Sequence, residues 1–201
     1  MTCIELPTTN GSYYAHFKDT NIGAATGFGG RVWNSLLNAD PGSFRFGIGN
    51  GINADNTSGQ LTNDLALDTN YFVVTRFNPS NGVATIWLNP SSENSASVTA
   101  TDVGTGPRPN PIDVVAYAFR QNTGEGKLNV DNLRVGLSFA DVMPRLNIRL
   151  ISNQAVLTWA GPYPLQSAPA VTGTYTNVSG ATSPYTNTGP GAVKFFRLLA
   201  N

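Results

Sequence analysis

Charge is scarce in this sequence. Only 12% of its 201 residues are charged, and the 12 basic and 12 acidic groups cancel; soluble domains usually carry about 25%. So balanced a chain has no strong grip on nucleic acid or an anionic membrane surface. Cysteine is rarer still. Cys3 stands alone, so no disulfide closes within the chain. Its place beside the terminus leaves three readings: an intermolecular bridge, a partner lost upstream, or no role. His16 is the single histidine. That excludes zinc centres with two or three imidazoles and the two-histidine facial triad, and one cysteine excludes a Cys₄ zinc site. Long apolar runs are missing: the longest is Val114 to Phe119, where a membrane helix needs about 20 residues. Met1 to Asn10 has no basic n-region and no apolar h-region, so no signal peptide is read there. The expectation is a mature or truncated piece of an exported protein. Helical periodicity is absent too, and Val32 to Asn38 offers at most a helical turn.

What is present is turn chemistry and strand chemistry. The 22 Asn, 21 Thr and 14 Ser join 21 Gly and 13 Pro to make up 91 of 201 residues, while 40% of the chain is hydrophobic and 10% aromatic. A packed core is therefore available, and the chain is not expected to be disordered. Tyr13-Tyr14-Ala15-His16-Phe17 reads as a strand, with Tyr14 and His16 on one face and Tyr13 on the other. Ser43 to Ile48 alternates, with Phe44, Phe46 and Ile48 on one face and Arg45 opposite. Tyr71 to Phe77 and Val83 to Leu88 flank Asn78-Pro79-Ser80-Asn81-Gly82, a hairpin signal. Asp113 to Arg120 and Lys127 to Val135 read as a second pair. The polar stretch Pro90 to Pro111 has room for a short edge strand at Ala96 to Ala100.

The rhythm changes around Met143-Pro144-Arg145. Leu146 to Leu150 and Val156 to Trp159 alternate about a two-residue turn at Ser152-Asn153, and Thr174 to Val178 and Ala192 to Leu199 read as further strands. These patterns divide the chain into residues 1–141 and 142–201, with the boundary at about residues 140–146. The second unit is small enough that packing against a neighbour is expected.

Two stretches carry a resemblance. Tyr71 to Phe77, the Asn-Gly turn, Ala84-Thr85-Ile86-Trp87-Leu88-Asn89-Pro90, Ala118-Phe119-Arg120-Gln121 and Leu128-Asn129-Val130-Asp131-Asn132-Leu133-Arg134 resemble the closing half of a concanavalin A-like, laminin-G-type jelly roll of secreted bacterial proteins. Leu157-Thr158-Trp159, Pro164 to Ala168, Tyr175 to Val178, Ser183 to Thr186 and Phe195 to Leu198 resemble a small all-β module at the C-terminus of exported bacterial surface and polysaccharide-related proteins. The resemblance implies an all-β chain: a concanavalin A-like β-sandwich followed by a small C-terminal β module. It also implies more upstream strands than residues 1–70 supply. A sandwich short of strands leaves an open edge, which invites pairing with a second copy.

Catalytic chemistry is thinly represented. Glycoside hydrolysis needs two carboxyl groups, yet the only glutamates are Glu5, Glu93 and Glu125, and none lies in the Glu-x-Asp-x-x-Glu pattern of glucanases of this fold. A β-elimination lyase needs a His or Tyr base with an Arg or Asn neutraliser, and Tyr13, Tyr14 and His16 share one segment. No Gly-x-Ser-x-Gly elbow supports a serine nucleophile. Calcium takes Asp, Asn and carbonyl oxygens. Asp131 with Asn132 at a strand exit is the best candidate pair, and Asp19 the next; as structural residues they cap turns instead. Asn53-Ala54-Asp55-Asn56 is a further Asx cluster. Sugar recognition needs an aromatic platform beside planar polar groups. Trp33, with Arg31 and Asn34 beside it after Gly27-Phe28-Gly29-Gly30, is read as the exposed platform, with core packing as the other reading. Tyr71 is a second aromatic candidate, and Trp87 and Trp159 read as core.

These readings lead to a non-catalytic, extracellular or cell-surface carbohydrate-binding protein of bacterial type. Its expected partners are a polysaccharide or glycan, with a structural calcium, no nucleic acid and no membrane span. A self-assembling surface or filament subunit is the alternative, and a polysaccharide hydrolase or lyase the second.

Overall fold

The structure is a computed structural model, and it describes residues 1–19, 27–50, 58–101, 114–161, 163–188 and 193–199. The chain divides into two compact units, residues 1–135 and 136–201. Both are antiparallel β structure, with one four-residue helix among the described residues.

The first unit contains β1 (Thr2–Glu5), β2 (Ser12–Asp19), β3 (Phe28–Ser35), β4 (Arg45–Gly49), β5 (Gly59–Gln60), β6 (Val73–Asn78), β7 (Val83–Leu88), β8 (Ser97–Thr99), β9 (Val114–Phe119) and β10 (Lys127–Asn129). They form a five-stranded sheet in the order β5-β4-β3-β2-β9, a three-stranded sheet β6-β7-β8, and the pair β1-β10. The apolar face of the large sheet packs on the three-stranded sheet. Phe44, Phe46 and Ile48 are fully buried there with Tyr14, Val32, Ala84 and Ile86. The aromatic rings interlock edge to face, with Phe44 and Phe46 centroids 5.2 Å apart and Tyr14 6.1 Å from Phe46. Such pairs contribute about 0.5–1.5 kcal/mol beyond their buried area.

The β6–β7 hairpin forms with Asn78 opposite Val83 and Val73 opposite Leu88. Its turn is held by Asx bonds: Ser80 N donates to Asn78 Oδ1 and Val83 N to Asn81 Oδ1, both at 3.0 Å. Gly82 closes it at φ +70°, a left-handed conformation that glycine adopts without strain. The edge strand expected near residues 96–100 is β8.

Four expectations need correcting. Val32 to Asn38 is no helical turn; its first half belongs to β3, the central strand. The segments around 114–120 and 127–135 do not pair with each other. β9 pairs with β2, and β10 pairs with β1. The run expected to Val135 is in strand form only to Asn129. Finally, β2 does not alternate simply. Its register against β3 shifts between Tyr13 and Ala15, where two steps on β2 oppose one on β3. The bulge sends Tyr14 into the core and places Tyr13 on the same face as His16, with ring centroids 5.8 Å apart.

The second unit holds α1 (Phe139–Val142), β11 (Asn147–Ile151), β12 (Gln154–Thr158), β13 (Leu165–Ala168), β14 (Thr176–Asn177), β15 (Tyr185–Asn187) and β16 (Phe195–Leu198). Two three-stranded sheets result, β11-β12-β15 and β14-β13-β16. Leu157, Leu165 and Ala168 are its buried apolar residues among those described. The two-residue turn at Ser152-Asn153 forms as expected, with Ile151 opposite Gln154. Both turn residues take positive φ, 47° and 63°, the type I′ geometry that suits a twisted hairpin.

Candidate functional site

The face of the five-stranded sheet turned away from the core carries an aromatic and cationic cluster. Tyr13 lies opposite Trp33 across the β2–β3 pairing, and the rings meet edge to face at 5.5 Å. Phe28, at the start of β3, packs 4.3 Å from the His16 ring and 6.3 Å from Tyr13. The Arg31 guanidinium carbon lies 5.0 Å from the Tyr13 centroid and 5.1 Å from that of Phe28. Lys18 Nζ is 5.2 Å from the Phe28 ring and also pairs with Asp19. Arg120 also stacks over Tyr13, at 4.2 Å.

Small residues on the flanking strands make room for these side chains. On β4, Gly47 and Gly49 lie opposite Trp33 and Arg31. On β9, Ala118 and Ala116 lie opposite His16 and Lys18. Cross-strand neighbours share a face, so the bulky groups stand among glycines and alanines.

Electrostatics follow from the crowding. Burial pushes the His16 pKa below its ordinary 6.5, and the nearby positive charges of Arg31, Lys18 and Arg120 push the same way, against a hydrogen bond to a backbone carbonyl. The ring is therefore neutral at pH 7. Its Nδ1 lies 3.2 Å from Phe17 O; in the neutral ring that nitrogen donates, leaving Nε2 as the basic site.

The four sugar-site candidates separate. Arg31 and Trp33 are together in this cluster. Trp33 is 5% exposed, so the expectation of an open indole platform is not met; the half-buried rings are Tyr13 and Phe28. Asn34 points the other way because it is one residue on. It is fully buried, and its Nδ2 donates to Glu125 O at 2.8 Å. Tyr71 packs on Phe44 in the core, 6.3 Å away, and its hydroxyl accepts from Ala66 N at 2.8 Å. Phe28 and Arg120 were not foreseen as site residues, and Tyr13 was weighed only as a lyase base; the bulge that gathers Tyr13 leaves no plain mark in the sequence.

The candidate calcium ligands are bonded locally. Asp131 Oδ1 accepts from Asn132 N at 2.6 Å, and Oδ2 from Asn132 Nδ2 at 3.2 Å. Asn132 sits at φ 55°, and both bonds run between adjacent residues at the end of the strand region. Asp19, on β2, pairs with Lys18. Among the described residues no group of three or more His, Cys, Asp or Glu side chains has the placement to hold a metal ion. The Asn53–Asn56 cluster lies outside the described residues.

Trp87 is 2% exposed and lies under Arg76, whose guanidinium is 5.3 Å from the ring. Trp159 follows β12, is half-buried, and takes its backbone hydrogen bond from N to Ser183 Oγ at 2.9 Å. No helix among the described residues is long and apolar enough to cross a membrane. No family model, curated protein or solved structure matches the chain.

Proposed function

We propose that the protein is an extracellular or cell-surface carbohydrate-binding protein without catalytic activity, built on a concanavalin A-like jelly roll with a small C-terminal β module. One observation carries the reading: Tyr13 and Phe28, both half-buried, stand with Arg31 and Arg120 on one sheet face. Pyranose rings have apolar faces and hydroxyl rims. An aromatic face flanked by planar guanidinium donors complements both. The test is a glycan array followed by affinity electrophoresis on the polymers that score. Saturable retention that falls at least tenfold in Tyr13→Ala supports the reading, and no retention on any polysaccharide class overturns it. A structural calcium at Asp131 and Asn132 is an accompanying proposal; an unchanged melting temperature under chelation, at matched ionic strength, overturns it.

Two further readings each have an observation in their favour. The Tyr13–His16–Arg120 grouping has the residue types of a β-elimination lyase, and release of unsaturated ends absorbing near the ultraviolet would establish it. The edge strand β11 exposes Ile148, Leu150 and Ile151, which favours self-association through a sheet edge; light scattering on the purified chain tests that.

A further inference from the structure

The outer-face cluster is rich in hydrogen-bond donors. Trp33 is 5% exposed, and its Nε1 has no hydrogen-bond partner among the described residues. An indole N–H can only donate, so that group calls for an acceptor. Arg120 is in a similar position. Its guanidinium lies over Tyr13, and its side-chain hydrogen bond is a long one, 3.4 Å from Nη1 to Ser12 Oγ. Ser12 Oγ already accepts from Asn122 Nδ2 at 3.2 Å. None of the carboxylates in the ion pairs of the described residues reaches Arg120. A guanidinium has five donors in a fixed fork and never accepts.

A ligand that completes the half-buried Arg120 has to bring acceptors. A neutral pyranose brings single hydroxyl oxygens, which meet a guanidinium weakly. A carboxylate or sulfate brings two or three anionic oxygens at once, in the spacing an arginine fork matches. The surroundings are suited to negative charge: Arg31 and Lys18 stand in the same cluster, and Lys18 is paired with Asp19. The whole chain is neutral, so the preference is local.

We propose that the Tyr13–Phe28–Trp33–Arg120 face binds an acidic saccharide, with the sugar packed beside Tyr13 and Phe28 and its carboxylate or sulfate ester on Arg120. This rests on the carbohydrate-binding reading and narrows it to one ligand class.

The test uses the full chain and matched polymers: polygalacturonate against its fully methyl-esterified form, and carrageenan against its desulfated backbone, by affinity electrophoresis and calorimetry. The expected result is binding at least tenfold tighter to one or both acidic polymers than to the neutral partner. Raising salt should erase the difference. Retention of polygalacturonate alone identifies a carboxylate, and retention of carrageenan alone a sulfate; either supports the proposal. Arg120→Gln should abolish the acid preference while Arg120→Lys keeps part of it. If Arg120→Gln does not fold, the acid-against-neutral comparison on the unaltered protein decides by itself. Equal binding to acidic and neutral partners overturns the inference and leaves the carbohydrate reading standing. Binding to none of the four polymers overturns the inference, and a glycan array blank for every class overturns the broader reading as well.

Discussion

Arg120, at the end of the five-stranded sheet, lies with its guanidinium carbon 4.2 Å from the centre of the Tyr13 ring. The stack depends on the ring, not on the phenol hydroxyl. Tyr13→Phe should therefore keep saccharide affinity within about threefold, since an exposed cation–π pair contributes only about 0.5–1 kcal/mol. Tyr13→Ala should lose both platform and stack, with affinity down tenfold or more in calorimetry. Equal losses in the two variants would show that the hydroxyl matters more than the face.

His16 gives the protein a pH signature of its own. Its pKa is lowered in the folded state by burial and then by neighbouring cations, so the unfolded chain binds its proton more readily. Stability is then full above pH 6.5, the unfolded value, and falls as pH drops below it. His16→Gln should remove that part of the slope between pH 7 and pH 5 in thermal melts. Because no other histidine exists, the comparison is clean, and an unchanged slope would contradict the buried, neutral ring.

Gly29 lets the five-stranded and three-stranded sheets of the first unit approach. A Cβ there would meet the Phe77 ring at 2.5 Å. Gly29→Ala should destabilise the fold by about 1–3 kcal/mol through overpacking, read as a lowered denaturant midpoint. Pairing it with Phe77→Leu should restore part of the loss.

Phe46 is fully buried between Tyr14, Phe44 and Tyr71. Phe46→Ala should cost about 3–5 kcal/mol, the range for large aromatic truncations. A loss under 1 kcal/mol would mean that this ring is not packed as described.

The β11–β12 turn can be improved. Ser152 and Asn153 both hold positive φ, and Asn-Gly is the preferred type I′ pair. Replacing Ser152-Asn153 by Asn-Gly should raise the stability of the second unit by a few tenths to 1 kcal/mol. Hydrogen exchange at Val156 and Leu157 amides would report it.

Legibility in the sequence followed distance along the chain. The β6–β7 and β11–β12 hairpins were readable because Asn81-Gly82 and Ser152-Asn153 fix the turn and the flanking residues fix the register. The apolar face of β4 was readable from simple alternation. The partners of β9 and β10 were not, because nothing near Val114 or Lys127 signals that Asp19 or Glu5 lies opposite. The candidate site suffered most. One inserted residue at Tyr14 reverses the two-residue period, so Tyr13 joins His16 and Arg31 rather than facing away from them. Asn34 and Trp33 are adjacent in sequence and therefore lie on opposite faces, which separates two residues that looked like one site.

The pairing of β1 with β10 and of β2 with β9 ties the first 19 residues to residues 114–129. During synthesis, β1 emerges more than a hundred residues ahead of its strand partner. A ribosome adding about 5–20 residues per second takes several seconds to supply it. Through that interval the N-terminal strand edges are bare, and the first unit closes only when its last strands arrive. A nascent chain of this design needs either quick completion or a chaperone that shields strand edges.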